Sequence, residues 1–360
     1  MIISIDCRCF SSSGIGVYIQ GCLPYFLNSD NYFYLLGNAT ELTPLVENCK
    51  NIEILEYHEK PFSLAELFSF PSNYRRKINS GDLFYSPYFN IPGGINVPVY
   101  TTIHDIIFPD MPELTSRLGL AMRMFFYRRA FSLSKKIFTV SEFSKSRIEH
   151  YSKNKVPVVV TYSAIQSWLS QRAAESKYKT PKNKTIVFIG NIKKHKGLNL
   201  LLEAFQLAKA EGLPHRLVII GSRDNFRTSD SSILKKIDSL SADSILFSNV
   251  TSNEELAEYV SAAALLVQPS LYEGFGLPPL EAMVLGTQAL VSDIQTFTEI
   301  YDGFPVVFFR AGDCIDLKHK LIDLLVNNHP EAVSLPEHLL SKYTFEKTSE
   351  IILKNMEQHI

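Results

Sequence analysis

The segment 270–283 constrains the fold of this chain more than any other part of it. It reads Ser-Leu-Tyr-Glu-Gly-Phe-Gly-Leu-Pro-Pro-Leu-Glu-Ala-Met and follows an apolar run, 262–267, that predicts a buried strand. Two glycines predict a tight loop and two prolines suit the first turn of a helix: Gly274, Gly276, Pro278 and Pro279. The sequence therefore predicts a strand that delivers a glycine loop to a helix N-terminus, which is a favourable place for an anionic ligand.

Two carboxylates accompany this loop, Glu273 within it and Glu281 in the predicted first helical turn. Carboxylates repel phosphate, so we expect them to accept hydrogen bonds from hydroxyl groups. A ligand that carries both phosphate and many hydroxyls is a sugar nucleotide. The alternative is that Glu281 only complements the helix dipole and that Glu273 is solvated.

In its full context the segment resembles the E-x7-E signature of retaining glycosyltransferases of family 4, which have the glycosyltransferase-B fold. In that family the first glutamate contacts the donor sugar and the second contacts the ribose hydroxyls. The resemblance implies a catalytic role for Glu273. It also implies a set of donor-binding positions in this segment: Glu273, Gly274, Phe275, Gly276, Leu277 and Glu281.

Composition sets broad bounds on the protein. A chain of 360 residues is long enough for two domains, and its 36 basic and 37 acidic residues carry no bulk charge that would point to nucleic acid. The five cysteines are odd in number and scattered, which indicates reduced thiols of a cytoplasmic protein and no zinc site. No apolar stretch reaches the roughly 18 residues that span a bilayer, so we expect a soluble protein or one bound to a membrane surface.

The N-terminus predicts a second unit of strand, glycine loop and helix. The strand covers 2–9, and the loop contains Gly14, Ile15 and Gly16. A plain tight turn is the alternative, because Gly-x-Gly alone lacks the third glycine of a dinucleotide fingerprint. The family resemblance implies that this loop closes over the donor diphosphate and the acceptor.

His104 and Asp105 follow a predicted strand at its C-terminal end, where open α/β sheets bind ligands. A structural loop histidine is the alternative. In family 4 a histidine after this strand faces the donor sugar, so the resemblance implies a catalytic His104, with Asp105 on the acceptor side. Ser141, a predicted helix N-cap near the domain cleft of the family, is also placed on the acceptor side.

The second domain is predicted to open with strand 185–189 and a loop containing Asn191 and Lys196. A lysine in such a loop suits a diphosphate, whereas the alternative is a solvated basic loop. The resemblance makes Lys196 a phosphate-binding and catalytic residue; Asn191 replaces a common arginine, so Lys193 or Lys194 is expected to supply charge. Four further donor-binding positions lie in loops that face the base in the family: Gly221, Ser222, Asn249 and Val250.

Strands alternating with helices predict an α/β chain with parallel sheets. With the resemblance, we expect two Rossmann-like domains facing across a cleft. The predicted divisions are an acceptor-side domain at 1–170, a linker at 171–184, a nucleotide-sugar domain at 185–344, and a helix at 345–360 that packs back on the first domain.

A predicted helix at 117–136 alternates arginine and lysine with methionine and phenylalanine. It is either a core-facing helix with a solvated basic side, or a surface for anionic lipid or a lipid-diphosphate acceptor.

The function implied by the resemblance is metal-independent, retaining transfer of a hexose to a hydroxyl of a glycan or lipid-linked glycan, in the synthesis of an O-antigen-like surface polysaccharide. GDP-mannose is the favoured donor, with UDP- or dTDP-sugars as alternatives. No cofactor, metal or nucleic acid is expected, and Asp-x-Asp is absent from the sequence. The protein is expected to be cytoplasmic, either free or bound peripherally to the cytoplasmic face of the inner membrane.

Three other classes of protein stay open: a sugar-nucleotide epimerase, a non-catalytic scaffold, and a nicotinamide oxidoreductase. The last would need the third glycine of the dinucleotide fingerprint, which is missing here.

Overall fold

The structure is a computed structural model that describes residues 1–12, 14–47, 49–174, 182–221, 244–248, 252–328 and 332–358. The chain divides into two compact units. The first comprises Met1–Gln166 with Tyr343–Ile360, and the second comprises Ser167–Lys342.

The first unit builds a sheet with the order β3-β2-β1-β4-β5-β6-β7, in which all neighbours are parallel. Its elements up to residue 166 are β1 (Ile2–Asp6), α1 (Ile15–Leu27), β2 (Tyr32–Gly37), α2 (Ala39–Val46), β3 (Ile52–Glu56), α3 (Leu64–Phe68), α4 (Ser72–Asn79), β4 (Leu83–Ser86), β5 (Val99–Thr102), α5 (Ile107–Asp110), α6 (Arg117–Leu133), β6 (Ser134–Thr139), α7 (Glu142–Ser152) and β7 (Val158–Val160).

The second unit builds a parallel sheet with the order β10-β9-β8-β11-β12-β13. Its elements are α8 (Ser167–Ala174), β8 (Thr185–Ile189), a 3₁₀ turn (Lys194–Lys196), α9 (Leu198–Ala210), β9 (Arg216–Ile220), β10 (Ile245–Ser248), α10 (Asn253–Ala262), β11 (Leu265–Gln268), α11 (Leu277–Val284), β12 (Gln288–Ser292), α12 (Gln295–Ile300), β13 (Val307–Phe309), α13 (Cys314–Ile322) and α14 (Glu337–Leu340). The last helix, α15 (Phe345–Glu357), belongs to the first unit.

Both sheets are doubly wound, and the central strands of the second sheet are largely apolar because helices cover both faces. In the second unit β8, β9 and β11 supply Val187, Leu217 and Leu266, all fully buried. The predicted α/β class with parallel sheets is confirmed. In each sheet the strand order reverses beside the unit's first strand, which makes a crevice at the carboxyl ends of β1 and β4 and another at those of β8 and β11.

Helix α15 packs on α1 within the first unit. The Ser349 Oγ donates to the Cys22 carbonyl at 3.3 Å, and a side chain at Gly21 would overlap the Phe345 ring. The predicted linker 171–184 is helical at its start, since α8 runs to Ala174, and residues 175–181 lie outside the described residues.

The predicted basic helix 117–136 is too long. Helix α6 ends at Leu133, and β6 begins at Ser134 because Ile137 and Phe138 are required in the core of the sheet. Lys136 is therefore a strand residue whose Nζ donates to Asn355 Oδ1 at 2.6 Å. Among the helices of the described residues, none has the length and apolar character needed to cross a membrane.

Candidate active site

The second unit brings two loops together at its topological switch point. One follows β8 and covers 190–197, and the other follows β11 and covers 269–276. Because β8 and β11 are parallel neighbours, both loops leave the sheet at the same edge. This is the edge at which open α/β sheets bind ligands.

Gly197 makes the close approach of these loops possible. Its φ of +72° lies in the left-handed region, and a Cβ there would overlap the Pro269 carbonyl oxygen. The Leu271 backbone N–H donates to the His195 carbonyl at 2.7 Å, which joins the two loops directly. The residue before Gly197 is Lys196, so this approach determines where the lysine lies.

Lys196 and Glu273 form an ion pair across the two loops. The Lys196 Nζ lies 2.7 Å from each carboxylate oxygen of Glu273, whose side chain is almost fully buried. The Ser270 Oγ donates to Glu273 Oε1 at 2.7 Å. Glu273 is thus held by a cation and a hydroxyl, so the alternative of a solvated glutamate is wrong, as is that of a freely solvated Lys196.

Residues beneath this pair hold Ser270 in place. The Gln268 Nε2 donates to Ser270 Oγ at 3.1 Å, and the Ser292 Oγ donates to the Ser270 carbonyl at 2.5 Å. The sequence reasoning missed Gln268 and Ser292 and gave Ser270 no role. Ser270 could have been found, since it lies three residues before Glu273 in the same motif.

His195 lies beside the pair but adds no charge to it. Burial lowers the pKa of His195 to about 4, with the neighbouring Lys196 charge acting in the same direction. The imidazole is therefore neutral at pH 7. Its Nδ1 is buried and has no hydrogen-bond partner among the described residues.

The glycine loop ends at Gly276, which begins α11. A φ of +85° requires glycine there, a Cβ would overlap the Phe297 ring, and the Tyr301 hydroxyl donates to the Gly276 carbonyl. Pro278 and Pro279 carry no backbone N–H, so the first turn of α11 offers an anion fewer donors than an ordinary helix start. Amides at this site must therefore come mainly from residues 274–277.

Glu281 lies in the second turn of α11, so its predicted place in the first turn is wrong. Burial raises the pKa of Glu281 to about 7. Within the described part of the chain its carboxylate has no hydrogen-bond partner, in contrast to Glu273. A half-buried carboxylate without a partner is well suited to accept hydrogen bonds from a ligand that carries hydroxyl groups.

The remaining predicted donor positions of this unit lie at the same sheet edge or beyond the described residues. Asn191 follows Gly190 at the end of β8, and a Cβ at Gly221 would overlap the Gly190 carbonyl, which places the ends of β8 and β9 together. Ser222, Asn249 and Val250 lie outside the described residues.

In the first unit His104 lies at the end of β5. Its Nε2 is 2.9 Å from the Pro87 carbonyl, and the Tyr18 ring packs edge-on against it with centroids 4.8 Å apart. Burial lowers the pKa of His104 to about 4, so the ring is neutral at pH 7. A carbonyl can only accept, so Nε2 carries the hydrogen and Nδ1 is left as an acceptor.

The other candidate residues of this unit have mainly structural contacts. Asp105 Oδ1 accepts from the Ile107 N–H at 3.1 Å, and Ser141, fully buried, caps α7 by accepting from the Ser144 N–H at 3.0 Å. Gly14 precedes α1 with φ +73°, and Ile15 is the first helical residue. At Gly16 a Cβ would overlap the Phe10 carbonyl, which explains the glycine by packing.

A buried charge network at the switch point of the first unit escaped the sequence reasoning. The Arg8 Nη2 lies 2.5 Å from Asp6 Oδ2 and 2.8 Å from Glu66 Oε1. The Asn90 Nδ2 donates to the same two oxygens at 2.7 and 3.0 Å. Spacing gives no signal for its long-range contacts, since Arg8 and Glu66 are 58 positions apart and Asn90 and Asp6 are 84 apart. The network joins the loop after β1 to the loop after β4, which contains Pro87.

No cluster of three or more histidine, cysteine, aspartate or glutamate side chains with metal-binding geometry occurs within the described ranges.

Solved structures resemble the whole chain. A glycosyltransferase from Rickettsia africae superimposes with a TM-score of 0.72 at 14% identity, covering 99% of this chain and 98% of its own. The Anabaena protein HepE, solved in complex with UDP and glucose, has a TM-score of 0.70 at 15% identity, with 99% and 100% covered. Together with the two doubly wound sheets, these similarities define a protein of the glycosyltransferase-B fold.

Residues 170–338 match the family model described as glycosyl transferases group 1. This segment is just under half of the chain, and it contains Lys196, Glu273 and Glu281, so the site described above lies in the part of the chain that resembles that family. The resemblance read from the sequence motifs is confirmed.

Two curated relatives are bacterial mannosyltransferases. The O-antigen chain mannosyltransferase B of Escherichia coli is 27% identical over 228 residues, covering 61% of this chain and 58% of that protein. The O-antigen chain mannosyltransferase RfbU of Salmonella typhimurium is 24% identical over 255 residues, covering 70% and 67%. The aligned segments thus span little more than half to two thirds of these relatives.

Proposed function

We propose that this protein is a glycosyltransferase that moves a hexose from a nucleotide-diphosphate sugar to a hydroxyl group of a glycan or lipid-linked glycan. The process we propose is the synthesis of an O-antigen-like surface polysaccharide. One observation carries the proposal: at its switch point the second unit pairs a lysine with a buried glutamate, and the helix that follows the same loop carries Glu281, whose carboxylate has no hydrogen-bond partner among the described residues. This combination suits a ligand that has both a diphosphate and hydroxyl groups.

Each group has a proposed role. Lys196 shares its charge between Glu273 and the diphosphate, Glu273 positions the sugar, and Glu281 accepts hydrogen bonds from the ribose hydroxyls. The neutral His195 adds no charge to the pair of Lys196 and Glu273. His104 accepts a hydrogen bond from a sugar hydroxyl through Nδ1, and the Gly14–Gly16 backbone contacts the diphosphate. The acceptor-side roles of Asp105 and Ser141 follow from the resemblance alone.

The proposed reaction retains the anomeric configuration. A bond forms between the acceptor oxygen and the anomeric carbon, and the bond from that carbon to the phosphate oxygen breaks on the same face. The acceptor proton passes to the leaving phosphate oxygen, so no side chain is needed as a base. The negative charge on the leaving diphosphate is stabilised by Lys196 and loop amides, without a metal.

The proposed donor is GDP-mannose, because the curated relatives named above are O-antigen mannosyltransferases. A UDP-sugar is the second candidate, because the Anabaena structure holds UDP and glucose. We propose a cytoplasmic location, which reduced cysteines suit: the five free thiols include buried Cys7 and Cys22.

A panel of GDP, UDP and dTDP sugars tests the function. We expect one nucleotide family to raise the melting temperature, because a ligand that binds the folded state stabilises it by mass action. With that donor, EDTA should leave transfer to isolated membrane glycolipids unchanged, and NMR should show a product with the anomeric configuration of the donor. Donor binding without transfer to any membrane acceptor favours the scaffold; release of free nucleotide with an epimerised sugar favours the epimerase.

A further inference from the structure

The most exposed large apolar side chains of the described residues lie on two helices of the first unit. Phe68 is 82% exposed, Leu118 is 76% and Leu64 is 69%. Phe68 and Leu64 belong to α3 and Leu118 belongs to α6. Isolated exposed apolar residues are ordinary, whereas several on one side of a helix mark a candidate binding surface.

The exposed face of α6 is apolar at its centre and basic at its edge. Leu118, Met122 and Phe125 are exposed and recur at i, i+4 and i+7, so they lie on one side of the helix. Arg117 and Arg128 are exposed along the edge of the same side. The opposite side, with Phe126 and Ala130, is buried in the core.

Helices α3 and α6 are held to one framework. The Phe62 ring, two residues before α3, lies 4.7 Å from the Phe126 ring between centroids. The Arg129 Nη2 donates to the Pro92 carbonyl at 3.2 Å, and the neighbouring Gly93 N–H donates to the Glu66 carbonyl of α3 at 2.9 Å. Both exposed apolar groups therefore belong to one firmly packed part of the first unit.

The charge along α6 has a single sign. Between Glu113 and Glu142 the sequence holds six arginines and lysines and no acidic residue. Arg123 and Arg129 are bound to neighbouring oxygens. Arg117 and Arg128 have no ion-pair partner among the residues that the structure describes. Their positive charge is available to an anionic partner.

We propose that this face, formed by the exposed residues of α3 and α6 named above, binds the surface of an anionic phospholipid bilayer. An apolar stripe edged by arginines suits this partner, because the apolar side chains enter the headgroup boundary while the guanidinium groups stay with the phosphates. This inference rests on the proposed function, because membrane binding would bring the enzyme to a lipid-linked acceptor.

Vesicle co-sedimentation tests the proposal with phosphatidylglycerol–phosphatidylcholine vesicles and with phosphatidylcholine alone. We expect wild type to bind the mixed vesicles and to bind the neutral ones at least about tenfold less. The variant Leu118→Ser/Phe125→Ser should lose about tenfold or more in partitioning, and Arg117→Gln/Arg128→Gln should lose about tenfold on the mixed vesicles. The matched control Leu207→Ser/Ile315→Ser alters two exposed apolar residues of the second unit and should bind as wild type does.

The proposal would be overturned if Leu118→Ser/Phe125→Ser bound the mixed vesicles as well as wild type does. It would also be overturned if the control variant lost as much vesicle binding as Leu118→Ser/Phe125→Ser. A wild type that binds no vesicles but forms a dimer that Phe125→Ser dissolves would assign the face to a second copy instead. Retained melting temperature and donor-induced stabilisation show that each variant is folded. Donor binding is measured separately from vesicle binding. If the protein binds donor but not vesicles, the proposed function is retained and the membrane surface is rejected. If it binds vesicles but not donor, the membrane surface is retained and the proposed function is rejected.

Discussion

The Lys196 Nζ lies 2.7 Å from both carboxylate oxygens of Glu273, although 77 positions separate the two residues. A single left-handed glycine, Gly197, allows the approach. The pair lies at the switch point of the second unit, where we propose that the donor binds. It also gives the first prediction.

Removal of Lys196, whose carboxylate partner is buried, should destabilise the protein more than removal of a lysine whose carboxylate partner is exposed. Lys196→Met leaves the buried Glu273 carboxylate with the Ser270 hydroxyl as its remaining partner among the described residues, and we expect a loss of about 2–3 kcal/mol in the free energy of unfolding. Lys318→Met breaks an ion pair with Glu211, whose side chain is exposed, and should cost under about 1 kcal/mol. Urea unfolding measures both. The double variant Lys196→Met/Glu273→Gln should recover most of the loss; no recovery would mean that the pair is not the cause.

Gly197→Ala tests the approach of the two loops. The added Cβ overlaps the Pro269 carbonyl in a left-handed conformation, so we expect a loss of about 3 kcal/mol or more and weaker donor binding. Gly212→Ala is the matched control, because Gly212 has φ +93° but open space around its Cβ. It should lose only about 1 kcal/mol and bind donor normally. Equal losses for the two variants would show that backbone conformation alone matters and not the contact between the loops.

Glu281→Gln should stabilise the ligand-free protein at high pH while weakening donor binding. The pKa of Glu281 is raised to about 7, above its ordinary value of 4.5, so the folded state binds more protons than the unfolded state between these pH values. The wild type therefore loses stability as pH rises from about 4.5 to 7 and stays at the lower level above 7. Unfolding curves of the variant and wild type should converge near pH 4.5 and differ by about 2–3 kcal/mol at pH 8. A difference independent of pH would contradict burial of this carboxyl.

Donor affinity should itself depend on the charge of Glu281. Hydroxyl groups of the ribose donate to the ionised carboxylate, so binding favours loss of its proton. Affinity for the intact sugar nucleotide, measured by calorimetry, should rise by up to about tenfold per pH unit below pH 7 and level off above it. The intact donor is used because its diphosphate has no proton that titrates in this range. A donor affinity that does not change between about pH 5.5 and 8 would contradict the proposal that Glu281 binds the ribose.

Arg8→Met should be among the most damaging substitutions in the first unit. It leaves Asp6 and Glu66 buried without their cation, and we expect a loss of about 3–5 kcal/mol. Arg310→Met breaks an ion pair with Asp313 in which the arginine is exposed, and it should lower the free energy of unfolding by less than about 1 kcal/mol. Chemical denaturation measures both. Similar small losses would show that the network contributes little to the stability of the unit.

Much of the fold could be predicted because its signals are local. Strand Thr185–Ile189 is predicted to the residue, since its apolar run is bounded by polar residues and a glycine. The end of α6 was not, because Lys135 and Lys136 look helical and only the pairing of β6 with its neighbours makes them extended.

The candidate site was partly predictable for the same reason. Glu273, Glu281 and Lys196 stand in local motifs, so their types and spacing identify them. Their long-range contacts cannot be read in this way: Lys196 meets Glu273 across 77 positions, and in the first unit Arg8 meets Glu66 across 58, through tertiary packing that spacing does not encode. The pKa of Glu281 likewise depends on burial, which a motif cannot report.

Calorimetric titration of the preferred sugar nucleotide into wild type, Lys196→Met and Glu281→Gln tests the central claim most directly, with Lys318→Met as control. We predict that wild type and control bind alike and that each site variant loses about tenfold or more in affinity while remaining folded. Unchanged affinity in both site variants would contradict the claim that this switch point of the second unit holds the donor.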